Sequence, residues 1–426
     1  MKAPSTQTRY MFGMVVDATG AGMYLPLSLL YFHHVTGLPI AQVGAIMSAA
    51  AVVGLIANPA CGVLIDRFSA RAVVIGGYLL RGAGFATYPL VHNAGAMFLV
   101  LAVVSFGDVS FSPSVQSFIA EIVQGSARDK LLGAQRSMRN AGLGAGGLIA
   151  GGLLALRSDA AYHIIVLTTA CTYLVAAAAI RTIPRGRVLG SGEAAKASRK
   201  RGYRLVARNR PFLGLTLLNV PTAFGYMVLS VSLPVYVTQV LHSANSLVGV
   251  LYAVNTVGIA VLQIPVTRLL VRYRRTRAVA AGVSVFAVAF IAFALLSALG
   301  TGSVLIVGAF VATALFTAGE LMHGAAASAL AASAAPDATR GRHMAVYQLS
   351  WQIPTALAPA VLTALLSLSA TGMWLILAAG AIIAAAGVLR LEPKLPEQAV
   401  HPTPVPKPTT LSTAPPMDEA PSARAS

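Results

Sequence analysis

The sequence predicts an all-α membrane protein of twelve transmembrane helices, arranged as two parallel six-helix repeats. Three observations predict it: an excess of apolar residues, basic residues confined to alternate loops, and a second half that echoes the first. Hydrophobic residues make up 56% of the 426 and charged residues only 10%, where a soluble domain carries roughly 25% charged residues. Lipid is the solvent that tolerates such a surface. The formal net charge of +18 does not indicate nucleic acid, because the bases are spread over short loops and do not line one face.

A membrane-crossing helix needs about 20 mostly apolar residues. Such runs fall at 10–33, 41–65, 72–91, 96–121, 140–156, 161–182, 212–240, 246–270, 278–298, 302–331, 344–368 and 372–391, numbered spans 1 to 12 here. Span 1 resembles a secretory leader, but its apolar run outlasts the roughly 7–15 residues of a signal h-region, so it reads as a retained helix. Lys and Arg collect on the cytoplasmic side of membrane proteins. Of the 31 Lys and Arg, all but Arg157 and Arg81 fall in the even-numbered loops, the linker or the termini. Arg67 and Arg71 follow span 2; Arg128, Lys130, Arg136 and Arg139 follow span 4; the run from Arg268 to Arg277 follows span 8; Arg340 and Arg342 follow span 10. This alternation predicts a multi-pass protein with both termini cytoplasmic.

The expected domains are a six-helix bundle over 1–183, a basic Gly-containing linker over 184–210, a second bundle over 211–391, and a disordered Pro/Thr/Ser/Ala-rich tail over 392–426. The two cysteines, Cys61 and Cys171, sit inside apolar runs and read as small packing residues.

The halves match in order at a nearly constant offset. Gly20 pairs with Gly225, Tyr31 with Tyr236, Val43-Gly44 with Val248-Gly249, Pro59 with Pro265, Arg71-Ala72-Val73 with Arg277-Ala278-Val279, Gly76 with Gly282, and Gly107-Asp108 with Gly319-Glu320. Each half has an even number of spans, so both insert the same way up. Parallel repeats of this kind place a substrate site between the halves near the midplane, with access alternating as they rock.

The loop after span 2 reads Gly62-Val63-Leu64-Ile65-Asp66-Arg67-Phe68-Ser69-Ala70-Arg71. It resembles the signature loop of the major facilitator superfamily, with Ser69 in place of the usual second Gly and Ala70 in place of a base. The second half carries a decayed copy with Arg272 at the position of Asp66. The physics of the loop is readable from the residues: Gly62 permits close helix contact, Asp66 can face a helix N-terminus, and Arg67 and Arg71 can pair with acids across the seam, forming a latch. The alternative is an ordinary basic loop. In span 5, Gly142, Gly146, Gly147 and Gly151 resemble the glycine signature of the antiporter branch, without its Pro. Small residues let helix backbones approach closely, so tight packing explains the pattern equally. The Arg-containing span 4 signature of many proton-coupled members is missing; Ser105-Phe106-Gly107-Asp108 stands there. Within the superfamily the chain looks most like the twelve-helix drug and sugar exporters.

Ionisable residues at bilayer depth are costly and mark functional sites by default. Asp17 in span 1, Asp108 in span 4 and Glu320 in span 10 qualify, with Arg81 in span 3 as the only base near the middle of a span. The resemblance implies that spans 1, 4, 7 and 10 surround a central cavity and that span 3 is peripheral. An acid there can carry a proton or bind a cationic substrate; alternatively Asp17 or Asp108 is statically paired with Arg81. His323 lies one turn after Glu320. Asn255, Gln263, Gln348, Gln352, Trp351, Tyr347, Tyr226 and Phe224 are weaker cavity candidates, and Pro26, Pro234, Pro265 and Pro354 are candidate bends. His33, His34, His92, His163 and His242 gather near the external ends without ligand spacing, so no metal and no cofactor is expected. No phosphate-binding Gly-Lys-Ser/Thr loop and no catalytic triad is present, and an enzyme is not expected.

The expectation is a monomeric secondary active transporter of the bacterial cytoplasmic membrane. It exports a small, partly apolar compound (a drug, secondary metabolite or sugar-like molecule) against entering protons. The alternatives are an importer of a sugar, organic anion or peptide, and a transport-inactive sensor or polytopic enzyme.

Overall fold

The computed structural model describes residues 6–122, 126–155, 158–184, 205–298, 302–336 and 339–401. Helices account for each of the twelve expected spans. Span 1 is Thr6–Tyr24 continued, through a 3-10 turn at Leu25–Leu27, by Ser28–Thr36; spans 2 to 6 are Ile40–Phe68, Ala70–Thr87, Ala94–Ile122, Ser126–Ala155 and Asp159–Arg181. Span 7 is Arg210–Tyr226 continued by Val228–Val235; spans 8 to 12 are Asn245–Leu270, Arg275–Leu296, Ser303–Ala334, Arg340–Leu368 and Ala370–Leu391. Among the described residues eight helices are long and apolar enough to cross a membrane alone, and span 7, bent by 42°, makes a ninth. Spans 3 and 5 fall short because Arg81, and Arg139 with Asn140, interrupt their apolar runs; the side chains of span 2 between residues 56 and 66 lie largely outside the described residues.

The repeat is visible in the backbone. Spans 1 and 7 are both broken near mid-length, at Leu25–Leu27 and at Met227, with Pro26 at the first break. Within the halves, spans 3 and 4 cross where Gly107 meets the Gly77 carbonyl, and spans 9 and 10 cross where Gly319 meets the Gly282 carbonyl. The structural partner of Gly282 is therefore Gly77, one residue on from the Gly76 of the sequence match; Gly76 has open space around it.

Across the halves, span 5 packs on span 8, span 2 on span 11, and the outer part of span 1 on the second segment of span 7. These contacts concentrate at the end that carries His33, His34 and His242. There Asn245 donates to the Tyr162 hydroxyl at 3.2 Å, and the Ala360 amide donates to Ser48 at 2.9 Å. A Cβ on Gly249 would sit 2.5 Å from the Gly147 carbonyl and 2.7 Å from Gly151 Cα, so this crossing closes only on glycine. The halves thus lean together at the histidine end.

Two sequence boundaries need correction. Span 5 begins at Ser126, not 140, so Arg128, Lys130, Arg136 and Arg139 lie on a helix and not in a loop; the polar turns Ser126–Asn140 gave no apolar signal. The chain also does not become disordered at 392. Glu392–Lys394 forms a 3-10 turn and Glu397–Val400 a helical turn, with Leu395, Ala399 and Val400 buried. This strap is held at the basic end by Arg274 on Glu392 at 2.6 Å, Thr276 on Glu392 at 2.6 Å, and Arg275 on the Gln398 and Ala399 carbonyls at 3.1 Å. These hydrogen bonds from Thr276 and Arg274 hold the Glu392 carboxyl below its ordinary range. Residues 402–426 and linker residues 185–204 lie outside the described residues.

Candidate functional site

Helical geometry sorts interior from lipid. Nine residues make two and a half turns of α-helix, so residues nine apart point in opposite directions. In span 4, Leu99 is 65% exposed and faces lipid; Asp108, nine residues later, points inward, yet its side chain is 54% exposed. In span 10, Val311 faces lipid and Glu320, nine residues on, points inward and is half-buried. An exposed acid on an inward face requires open space between the halves at mid-depth.

In the first half the structure gathers Asp17, Arg81 and Asp108. Arg81 is 5% exposed and lies 3.2 Å from Asp108 and 3.7 Å from Asp17. Its guanidinium also stands over the rings of Tyr173, Phe111 and Tyr78, at 4.4, 4.6 and 4.9 Å from their centres, which favours the cation further. The implied peripheral place of span 3 does not hold for this residue. Span 3 packs on spans 4 and 6, and Gly107 leaves room for the Arg81 stem. Asp17 and Asp108 thus share one resident base.

In the second half Glu320 stands apart from that cluster. Asn255 of span 8 donates to it at 2.9 Å and to Thr317 at 3.1 Å. Tyr226 of span 7 donates to the Glu320 backbone carbonyl at 3.1 Å and lies 3.0 Å from His323 Nδ1. Trp351 closes the group edge-on to Tyr226, with centres 4.9 Å apart. No Lys or Arg pairs with Glu320 among the described residues.

Sequence reasoning missed Arg139. It precedes Leu148, which is 52% exposed to lipid, by nine residues, so it points inward. It is exposed there, and among the described residues it makes no hydrogen bond or ion pair. It acts electrostatically on Asp17, Asp108 and Tyr252, which places it in the same chamber. The spacing to Leu148 was readable in the sequence; the misplaced start of span 5 concealed it.

A family model described as Major Facilitator Superfamily matches residues 10–359 and 215–418. The chain belongs to the major facilitator superfamily. It is a multi-pass membrane transporter of that superfamily, not an enzyme. It is 26% identical over 302 residues to the multidrug resistance protein MdtH of Yersinia enterocolitica, covering 70% of each chain. It is 27% identical over 239 residues to an uncharacterised transporter of the superfamily from Mycobacterium tuberculosis, covering 55% of each. Among solved structures it resembles a D-xylose–proton symporter with a TM-score of 0.74 at 14% identity, over 93% of this chain and 98% of that one. That likeness shows the fold.

The transporter's remaining sequence candidates fall as follows. Arg71 donates to the Arg181 carbonyl at 2.5 Å and the Ile180 carbonyl at 3.4 Å; it caps the end of span 6 in its own half and does not cross the seam in this state. Arg67 lies over the Phe68 ring. The side chains of Gly62 and Asp66 lie outside the described residues. Ser69 has φ 85° and ψ 150°, backbone that glycine adopts without strain, which accounts physically for the Gly expected there. In span 5, Gly142 and Gly146 face span 1, whereas Gly147 and Gly151 face span 8. The glycine stripe thus serves both the bundle and the seam.

Proposed function

We propose that the transporter exports small, partly apolar compounds across the bacterial cytoplasmic membrane in exchange for entering protons. In this reading the basic end lies in the cytoplasm and the histidine end outside, as the distribution of Lys and Arg supports. In the described state the halves are closed together at the outer, histidine end. Glu320 carries the coupling proton, and the Asp17–Arg81–Asp108 cluster holds the shape and field of the opposite wall. The resemblance to a multidrug resistance protein supports the direction of transport.

The observation that carries the reading is the difference between the two walls. An ionised acid at bilayer depth without a countercharge is costly. Asp108 has Arg81; Glu320 has only the neutral amide of Asn255. Glu320 is therefore the acid whose charge is most readily relieved by a proton, and ejected again when the chamber changes side.

The test is dye accumulation in proteoliposomes with an imposed pH gradient. The wild type accumulates the apolar dye anilinonaphthalenesulfonate when the gradient is present and loses that drive when it is collapsed. Glu320→Gln retains dye binding but loses gradient-driven accumulation by at least about 30-fold, the equivalent of roughly 2 kcal/mol of lost coupling. Unchanged gradient-driven accumulation in Glu320→Gln contradicts the assignment.

A further inference from the structure

We propose that the chamber accepts compounds with an anionic group, and that Arg139 is the residue that binds it. The inference rests on the reading of the chamber as the transport site and names its substrate class.

The chamber holds two arginines in very different situations. Arg81 is enclosed: Asp108 takes one of its N–H groups, Asp17 lies 3.7 Å away, three aromatic rings surround its guanidinium, and almost none of it is exposed. Its remaining donors, Nε and Nη2, are buried out of a ligand's reach. Arg139 is on an inward face, exposed, with no hydrogen bond or ion pair among the described residues. A guanidinium offers five N–H donors in a planar fork that matches carboxylate, sulfonate and phosphate oxygens. Left open in a chamber flanked by low-dielectric walls, it is a ready site for such a group.

The acids of the chamber do not take this role from the ligand. Asp108 is already engaged with Arg81 at 3.2 Å, and Asp17 is buried at 3% exposure with its nearest base also Arg81. They leave the donors of Arg139 unfilled. Across the chamber, Tyr252 of span 8 lies within the field of both Arg139 and Glu320. Tyr226 donates to the Glu320 backbone carbonyl and Trp351 packs edge-on against Tyr226, which puts aromatic side chains on the wall that carries Glu320. The two jobs are divided: Arg139 takes the substrate's anion, and Glu320 takes the proton.

Benzenesulfonate and benzenesulfonamide test this directly, because they share size and ring but only the first is a permanent anion. Radiolabelled binding and flux are measured on the full-length protein in proteoliposomes. The wild type binds benzenesulfonate saturably and more tightly than benzenesulfonamide. Arg139→Gln raises the Kd and KM for benzenesulfonate by about 10-fold or more, as expected for loss of a charge-assisted pair, and leaves benzenesulfonamide unchanged. Arg139→Lys recovers part of the loss. Three results overturn the inference: no saturable benzenesulfonate binding by the wild type, an unchanged Kd in Arg139→Gln, or an equal loss for both probes. If Arg139→Gln has no effect while Glu320→Gln still abolishes the pH drive, the substrate class falls and the transport reading stands. If no gradient drives any flux in the wild type, the transport reading fails separately, and the binding comparison still decides Arg139.

Discussion

The two six-helix halves share a backbone plan and differ in how they treat an acid at bilayer depth. At equivalent depth, Asp108 in the first half is held by Arg81, which is itself boxed by Asp17 and three rings. Glu320 in the second half has only Asn255. The repeat therefore supplies two matching positions, and side-chain chemistry separates them into a fixed charge cluster and a lone acid. A symmetric scaffold needs that asymmetry if one wall is to keep its field constant while the other changes its charge.

The largest effect expected from breaking the comparison is at Arg81. Arg81→Leu leaves Asp17 and Asp108 without their base, and removing one partner of a buried pair costs about 3–5 kcal/mol. The yield of monodisperse protein should fall and the unfolding temperature drop. Adding Asp17→Asn and Asp108→Asn to the same chain should restore most of the stability, whereas Glu320→Gln alone should cost little. Equal stability of Arg81→Leu and the wild type breaks the distinction between the halves.

The seam that joins the halves comes next. Gly249→Val places a branched side chain against the Gly147 carbonyl and Gly151 Cα. Overpacking of this kind costs about 1–3 kcal/mol, here only in the state closed at the histidine end. Cysteine pairs across spans 5 and 8 near that end should cross-link less in the variant. Gly76→Val, at a position with open space, is the control, and an equal effect there removes the seam from the explanation.

A smaller difference lies in the turns that enter spans 3 and 9. The first half turns through Ser69 at φ 85°, and the second through Arg274 at φ −58°. Ser69→Gly should relieve about 1 kcal/mol of backbone strain and raise the unfolding temperature; a lower temperature contradicts the account.

The smallest effect concerns how each half ties its basic end. Arg71 caps span 6 in the first half, and the strap around Glu392 ties spans 9 and 12 in the second. The Glu392 carboxyl is depressed, so its contribution is complete above the ordinary carboxylate pKa of about 4.3 and is lost as pH falls through the lower folded value. Glu392→Gln at neutral pH should free the strap, seen as faster proteolysis between Leu395 and His401. An unchanged cleavage rate removes Glu392 as the tie.

Much of this was legible in the sequence, because the bilayer imposes a length and a composition on each span. Alternating Lys and Arg fixed the number of spans, and the match of Gly107-Asp108 with Gly319-Glu320 placed two acids at one depth. Three features were not legible. The polar start of span 5 from Ser126 to Asn140 carries no apolar run to mark it as helix, so Arg139 reads from the sequence as a loop residue. The strap is too short and rich in Pro to signal order, and its stability comes from Arg274, Arg275 and Thr276 far away in sequence. Whether Asp17 and Asp108 pair with Arg81 or stand free for transport, two readings the sequence leaves open, is a matter of which helices touch, which linear order does not record.

The most direct test of the account is substrate-coupled proton movement, followed with a pH-sensitive dye trapped inside proteoliposomes that hold the full-length protein. When a benzenesulfonate gradient is imposed, the wild type and Asp108→Asn should both move protons in the opposite direction, and Glu320→Gln should move none. Proton movement that survives in Glu320→Gln and disappears in Asp108→Asn would assign the exchangeable proton to the other wall and contradict the division of labour between the halves.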